Sequence, residues 1–340
     1  MTRSSRILNQ YHDGRRDPRR LLALLSLCAL ALAACGEAGT PERDGDATAD
    51  GRAAGAGGDR PAKAAAAQTA EDALPRLKCP AKVDRALEGP DIVGLKLGMS
   101  RDSALMLVRC HMKDEGHLAF EKTWLPKINS HQLALGPQAF SIQRGDSSPC
   151  SFRTYQDMQK CGRGNRVWDF VSESITVAAP GLPGSETVVG IWRTQGFRPG
   201  EMPVADDLKA ALVRKYGPFQ WEDVRTSRNG NYNELGWQFD LAGQPVTSGN
   251  PLFAQCARNI ASKIDRGASW TEGCGLTIRA EIAHSAENPA LARELSIGML
   301  HQDDLFAYGN AIQAELDRIE EERRAAELAR QKSSAPDVKL

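Results

Sequence analysis

The 340-residue chain lacks a long hydrophobic run, because no stretch of about 18 consecutive apolar residues, the length of a membrane-spanning helix, occurs in it. This absence excludes a multi-pass membrane protein. A net charge of one sign is missing too, since 43 Lys and Arg balance 43 Asp and Glu. A nucleic-acid-binding protein normally carries a clustered excess of basic residues, so nucleic acid is excluded as a partner.

Signatures of catalysis and metal binding are also missing. The sequence contains no G-x-S-x-G nucleophile elbow, no H-E-x-x-H zinc motif and no C-x-x-C pair. Its histidines are scattered along the chain rather than spaced as ligands. We therefore predict no catalytic residue, no metal ligand and no cofactor.

The N-terminus carries an export signal. Six arginines precede an apolar run over residues 21–34, which as a helix would cover only about 21 Å, well short of a bilayer core. A basic region, a short apolar region and small residues at its end are typical of such a signal. We therefore assign residues 1–35 to a signal peptide.

The end of this signal, Leu32-Ala33-Ala34-Cys35-Gly36, resembles a bacterial lipobox. The resemblance implies a lipoprotein in which Cys35 receives a diacylglycerol and becomes the mature N-terminus, acylated by chains such as palmitate. Gly36 is not the Asp associated with inner-membrane retention, which implies an outer-membrane anchor facing the periplasm. The alternative is ordinary cleavage at the Ala31-x-Ala33 site, which would release a soluble periplasmic protein.

Residues 36–75 have the composition of a disordered tether. Thirteen of these forty residues are Ala and seven are Gly, and Leu74 is their only large apolar residue. Such a segment cannot bury enough surface to offset its ordering entropy. The predicted layout is a lipid, a flexible tether, a folded body over residues 76–300, and a charged helix and tail over residues 301–340.

The body contains an even number of cysteines, which in an exported chain indicates disulfides rather than free thiols. Fifteen connectivities are formally open, and nearest-neighbour pairing is the simplest. The six cysteines in that pairing are Cys79 with Cys110, Cys150 with Cys161, and Cys256 with Cys274.

The periodicity of the body alternates between strand and helix. Strands are predicted at 92–97, 173–179, 187–194, 235–239, 276–282 and 294–299, and helices at 100–108, 204–216 and 302–331. The strands at 173–179 and 187–194 flank a Pro- and Gly-rich turn and predict a hairpin. These elements predict an α+β fold, in which antiparallel sheet packs against short helices and a long helix ends the chain.

Two short motifs suggest an internal repeat. The run from Gly94 to Ser100, Gly-Leu-Lys-Leu-Gly-Met-Ser, followed by a short helix, resembles the opening of small barrel-assembly lipoproteins and of β-lactamase-inhibitor-like repeats. In that pattern a Gly-x-Pro turn commonly follows the helix, and the second helix here ends at Gly217-Pro218. The resemblance implies two diverged copies of one unit, around residues 90–195 and 200–300. The whole chain also resembles many uncharacterised exported bacterial proteins with this Gly-Met-Ser opening.

These features favour a non-catalytic, lipid-anchored protein that binds a ligand or serves as an accessory to another envelope protein. Trp270 lies in the loop between Cys256 and Cys274, and is the candidate partner-binding residue because exposed Trp often anchors interfaces. The alternative function is an envelope hydrolase with a site that the sequence does not reveal.

Overall fold

A computed structural model describes Cys79 and residues 87–121, 128–151, 154–227, 230–264 and 268–334. All of them belong to one compact unit that spans Ala67–Leu340. The predicted signal peptide, the lipidation site at Cys35 and the tether over 36–75 lie outside the described residues. Among the described helices, none is both long and apolar enough to cross a membrane.

A single antiparallel sheet of eight strands forms the centre of this unit. Its spatial order is β1-β2-β3-β4-β8-β7-β6-β5, so that the fourth and eighth strands meet in the middle. The strands are β1 (His117–Glu121), β2 (Ala139–Pro149), β3 (Arg166–Ala178), β4 (Gly190–Gly196), β5 (Trp221–Ser227), β6 (Gly230–Asp240), β7 (Cys274–His284) and β8 (Ala292–His301).

Five α-helices accompany the sheet within the described residues. They are α1 (Arg101–His111), α2 (Tyr155–Lys160), α3 (Ala205–Tyr216), α4 (Phe253–Arg258) and α5 (Gln302–Ser334). Helix α1 begins at Ser100, whose side chain accepts a hydrogen bond from the Ser103 N–H. Helix α3 ends at Gly217, which has a φ of 81° that suits glycine. The predicted α+β class with a long C-terminal helix is therefore confirmed.

The same order of elements occurs twice along the chain. Residues 101–196, the first half, contain a helix and a four-stranded antiparallel meander, and residues 205–301, the second half, contain another. In both halves the connection between the second and third strands carries a short helix and a disulfide. Two diverged copies of one unit would give this arrangement, and β4 and β8 join them.

One face of the sheet is apolar. Alternate side chains of a strand point to opposite faces of a sheet. On this face, one row of paired residues across neighbouring strands includes Ile142, Ile175, Ile297 and Leu235. Helices α1 and α3 contribute Ala104, Val108, Ala205 and Leu212 to the same buried cluster. The main core therefore lies between this face and the two helices that open the halves.

The opposite face of the sheet is polar. Its corresponding row reads Ser141, Thr176, Trp192, Gly298, Arg279 and Gly236. A smaller cluster covers part of this face, where Ile260 from the Cys256–Cys274 loop and Leu305 from α5 pack with Trp192 and Leu300. The disulfide loop and α5 therefore leave a groove on this side.

The prediction of a strand at residues 92–97 is wrong. Ile92 and Leu95 exchange two backbone hydrogen bonds of 3.0 Å across Val93 and Gly94, both with positive φ, which makes this segment a tight turn. The carboxylate of Asp91 accepts a hydrogen bond from the Gly94 N–H and holds the turn. Ile92 and Leu95 are fully buried, so the apolar residues of this motif anchor a turn to the core.

The three predicted disulfides are present in the nearest-neighbour pairing, with Cα–Cα distances of 5.5 to 5.6 Å. Disulfides persist in oxidising compartments, so they indicate an extracytoplasmic location. The disulfides join the same six cysteines that the sequence analysis paired.

Candidate functional site

A groove of about 370 Å³ opens on the polar face of the sheet, over the joint between the two halves. Gly162, next to Cys161, lies at one side, and Lys263 and Ile264 of the Cys256–Cys274 loop lie at the other. Ligand sites are common where two structural units meet. The remaining lining residues come from β2, β3, β4 and β8, and are Gln143, Trp168, Val171, Ser174, Thr176, Trp192, Thr194 and Glu294.

Two β-bulges in β3 turn Val171 towards this groove and keep Trp168 on the same face. The register between β2 and β3 shifts at Arg144/Gly145 and again at Asp146/Ser147, so that Val171 pairs with Gly145 and Trp168 with Ser147. Both partners lie on the face of β2 that also carries Ser141 and Gln143. Bulges of this kind re-aim side chains next to binding and active sites.

The half-buried ring of Trp168 forms a wall of the groove. The His117 ring packs edge-to-face against it at a centroid distance of 5.8 Å. Gly162 lies against the indole, where a Cβ would approach the ring to 3.3 Å. The contacts with His117 and Gly162 therefore restrict the orientation of Trp168.

Trp192 shapes the floor of the groove. Cβ atoms at Gly190 and Gly298 would come within 2.6 and 2.8 Å of its ring, so the absence of side chains there lets the indole lie flat on the sheet. Its Nε1–H donates a 3.1 Å hydrogen bond to the Ala261 carbonyl of the disulfide loop. Because only 2% of Trp192 is exposed, it positions the loop and offers little surface to a ligand.

Hydroxyl and amide groups line the floor beside Trp192. Gln143, Ser174, Thr194 and Ser296 pair in succession across β2, β3, β4 and β8, so their side chains form one row on the polar face. The Thr194 and Ser296 hydroxyl oxygens lie 3.1 Å apart. Each of these groups can both donate and accept hydrogen bonds.

The charges at the groove neutralise one another. Lys263 forms an ion pair with Glu294, and its Nζ also lies 3.8 Å from Oε1 of the buried Glu281. Among the described residues that line the groove, Lys263 is the only cation. A site with one cation between two carboxylates is weakly acidic and does not attract anions.

A second ionic cluster lies on the opposite, apolar face. Glu173 is 1% exposed, and its carboxylate accepts hydrogen bonds from Arg193 at 2.7 Å and Arg144 at 2.7 Å, with His111 Nε2 at 2.8 Å. Burial alone would raise the pKa of Glu173, but the His111 hydrogen bond and the Arg193 charge outweigh burial and lower it to about 2. This cluster ties α1 to the sheet and is separate from the groove.

The structure places the predicted site residues apart from one another. Cys79–Cys110 joins α1 to the segment that precedes it, whereas the other two disulfides close loops beside the groove. Trp270 is half-buried against Phe306 of α5, at a ring-centroid distance of 6.1 Å, and does not line the groove. Its partner-binding role stays a prediction.

The groove residues were not predicted from the sequence, because they come from six separate segments and share no spacing. One signal was present: Ser174 and Thr176 alternate with the buried Ile175 and Val177 in β3, as expected for a strand with a hydroxyl-bearing second face. The described residues hold no group of three or more His, Cys, Asp or Glu that could bind a metal.

Comparison of the chain with protein-family models, with curated proteins and with solved structures finds no match.

Proposed function

We propose that this protein is a lipid-anchored binding protein of the bacterial envelope, held to the outer membrane through Cys35, and that the groove on the polar face holds its ligand. The observation that carries the proposal is the pre-formed groove, lined by an oriented Trp168 and a row of hydroxyl groups. Sites for small ligands combine an apolar or aromatic wall with a few placed polar groups in this way.

Anchoring is tested by the fate of Cys35. Mass spectrometry of the mature protein should find a diacylated or triacylated Cys35 as its first residue. The Cys35→Ser variant should leave the membrane fraction, because a thiol is required for acylation. An unmodified mature terminus at Ala34 would instead identify a soluble periplasmic protein.

Binding is tested by thermal shift of the purified protein against a panel of soluble envelope components. A ligand of the groove should raise the unfolding temperature of the wild type and lose its effect in Trp168→Leu. Trp221→Leu is the matched control, because Trp221 is also half-buried on the polar face but lies on the edge strand β5, away from the groove. If no component of the panel shifts the wild type, the groove is not a binding site.

Trp270 supports the second part of the proposal, which is that the protein contacts another envelope protein. Its ring is only half-buried and lies beside Phe306, so the two aromatic side chains form one patch at the disulfide loop. Pull-down from detergent-solubilised envelopes should recover a specific protein with the wild type and lose it with Trp270→Ala. Equal recovery by both would contradict a role for this residue.

A further inference from the structure

We infer that the groove is a saccharide site, which takes one or two neutral sugar rings through Trp168 and the hydroxyl row. This inference rests on the proposed binding function and names the ligand class of that same site. Three properties of the lining carry it: the charge balance, the row of two-way hydrogen-bonding groups and the oriented indole.

The charge balance disfavours charged ligands. Lys263 is already paired with Glu294 and lies near the buried Glu281, so a phosphate or carboxylate would meet the Glu294 carboxylate and no unpaired cation in the described lining. Recognition of such anions normally uses Arg or an unpaired Lys. The ligand is therefore neutral, or at most weakly basic.

The hydroxyl row disfavours a purely apolar ligand. An apolar molecule over Gln143, Ser174 and Thr194 would strip water from these groups without replacing its hydrogen bonds. A molecule with several neighbouring hydroxyl groups replaces those bonds, because it too both donates and accepts. This requirement selects a polyhydroxylated ligand.

The indole of Trp168 supplies the complementary surface. A sugar ring carries hydroxyl groups at its rim and a patch of C–H groups on its face, and the electron-rich face of an aromatic ring attracts such C–H groups. The bulges and the His117 contact hold Trp168 in place, so little side-chain freedom is lost on binding. The volume of about 370 Å³ lies at the small end of ligand pockets, which suits one or two sugar rings.

The test is isothermal titration of the mature protein, with the disaccharides of N-acetylglucosamine and of glucose as probes and inorganic phosphate and indole as contrasts. We expect at least one disaccharide to bind and the two contrasts to give no heat. Trp168→Leu should weaken binding at least tenfold and Thr194→Val about fivefold, whereas Trp221→Leu and Thr226→Val on the edge strand should leave it unchanged.

Two binding experiments distinguish the possible sources of the sugar. Co-sedimentation with purified insoluble peptidoglycan, with and without the Trp168→Leu substitution, tests a wall polymer, and titration with soluble disaccharide tests a free oligosaccharide. Chromatography of each mixture detects cleavage products, which would replace a binding role with the hydrolase alternative.

The outcomes distinguish this inference from the proposed function. Saccharide binding that Trp168→Leu leaves intact, or binding of phosphate or indole alone, would overturn the saccharide assignment. If a different envelope component binds and Trp168→Leu abolishes its binding, the proposed function stands and only the ligand class is wrong. If nothing binds, both fail.

Discussion

At the scale of single residues, the two faces of the sheet use charge in different ways. On the apolar face, Glu173 is nearly inaccessible and is surrounded by Arg144, Arg193 and His111. On the polar face, Lys263 lies between carboxylates at the edge of an open groove. The first arrangement fixes a helix to the sheet, and the second pairs the only cation in the described lining of the groove with a carboxylate.

Replacing Glu173 with Gln should destabilise the protein by about 3 kcal/mol, because it leaves two arginines beside the core without their counter-charge. Urea denaturation measures the change. Glu315→Gln is the matched control, since Glu315 pairs with Arg318 on the exposed side of α5, where water screens the pair and its loss should change the stability little. Equal effects of the two substitutions would contradict the structural role of the Glu173 cluster.

Glu173 should also give the stability a specific dependence on pH. Its pKa falls from 4.5 to about 2 on folding, so the unfolded chain binds its proton first as the pH drops. The stabilisation is fully present above pH 4.5 and is lost as the pH falls from there through about 2. The difference in unfolding free energy between the wild type and Glu173→Gln should therefore shrink over this window. A constant difference would show that the carboxylate is not the titrating group.

At the scale of elements, sequence patterns correctly predicted the helices and the hairpin that are determined by interactions between residues close in the chain. Helices α1 and α3 were found from a Ser cap and from Gly217-Pro218, and the β3–β4 hairpin from its Pro- and Gly-rich turn. Strand β5 was missed because charged residues interrupt its alternation, and β2 because its second half is polar. The strand predicted at 92–97 was wrong because the apolar residues of a turn, which Asp91 stabilises, have the pattern of a short strand.

The groove could not be predicted from spacing, since strand register creates it. Gln143, Ser174 and Thr194 are neighbours only because β2, β3 and β4 pair in one register, and Val171 joins them only because the bulge at Arg144/Gly145 turns it to the polar face. Bulge positions depend on contacts across the sheet, and the local sequence does not specify them.

The Cys256–Cys274 disulfide should control the loop at the edge of the groove. Replacing both cysteines with Ala should cost about 3 kcal/mol in the chain-entropy model and speed trypsin cleavage after Lys263, which the loop now holds half-buried. Replacing Cys79 and Cys110 with Ala is the control, because that disulfide lies on α1 and leaves the loop closed. Unchanged cleavage after Lys263 in the first variant would contradict this role.

At the scale of the whole molecule, two similar halves share one continuous sheet. Strands β4 and β8 pair over seven residue pairs, and Trp192 lies across this joint against Gly298. The joint also carries the groove, with Thr194 from one half and Glu294 from the other. The joining of the halves therefore creates both a common core and a groove that neither half has alone.

The continuous sheet predicts that the halves unfold together. Ile175 in the first half and Ile282 in the second are both buried in the same core cluster. Ile175→Val and Ile282→Val should each lower the unfolding free energy by about 1 kcal/mol and shift one shared transition. Urea unfolding followed by circular dichroism and by tryptophan fluorescence measures this, and both signals should coincide in each variant. Two separate transitions, each displaced by only one substitution, would show that the β4–β8 joint does not couple the halves. In that case the groove could open without global unfolding, because its two sides belong to different halves.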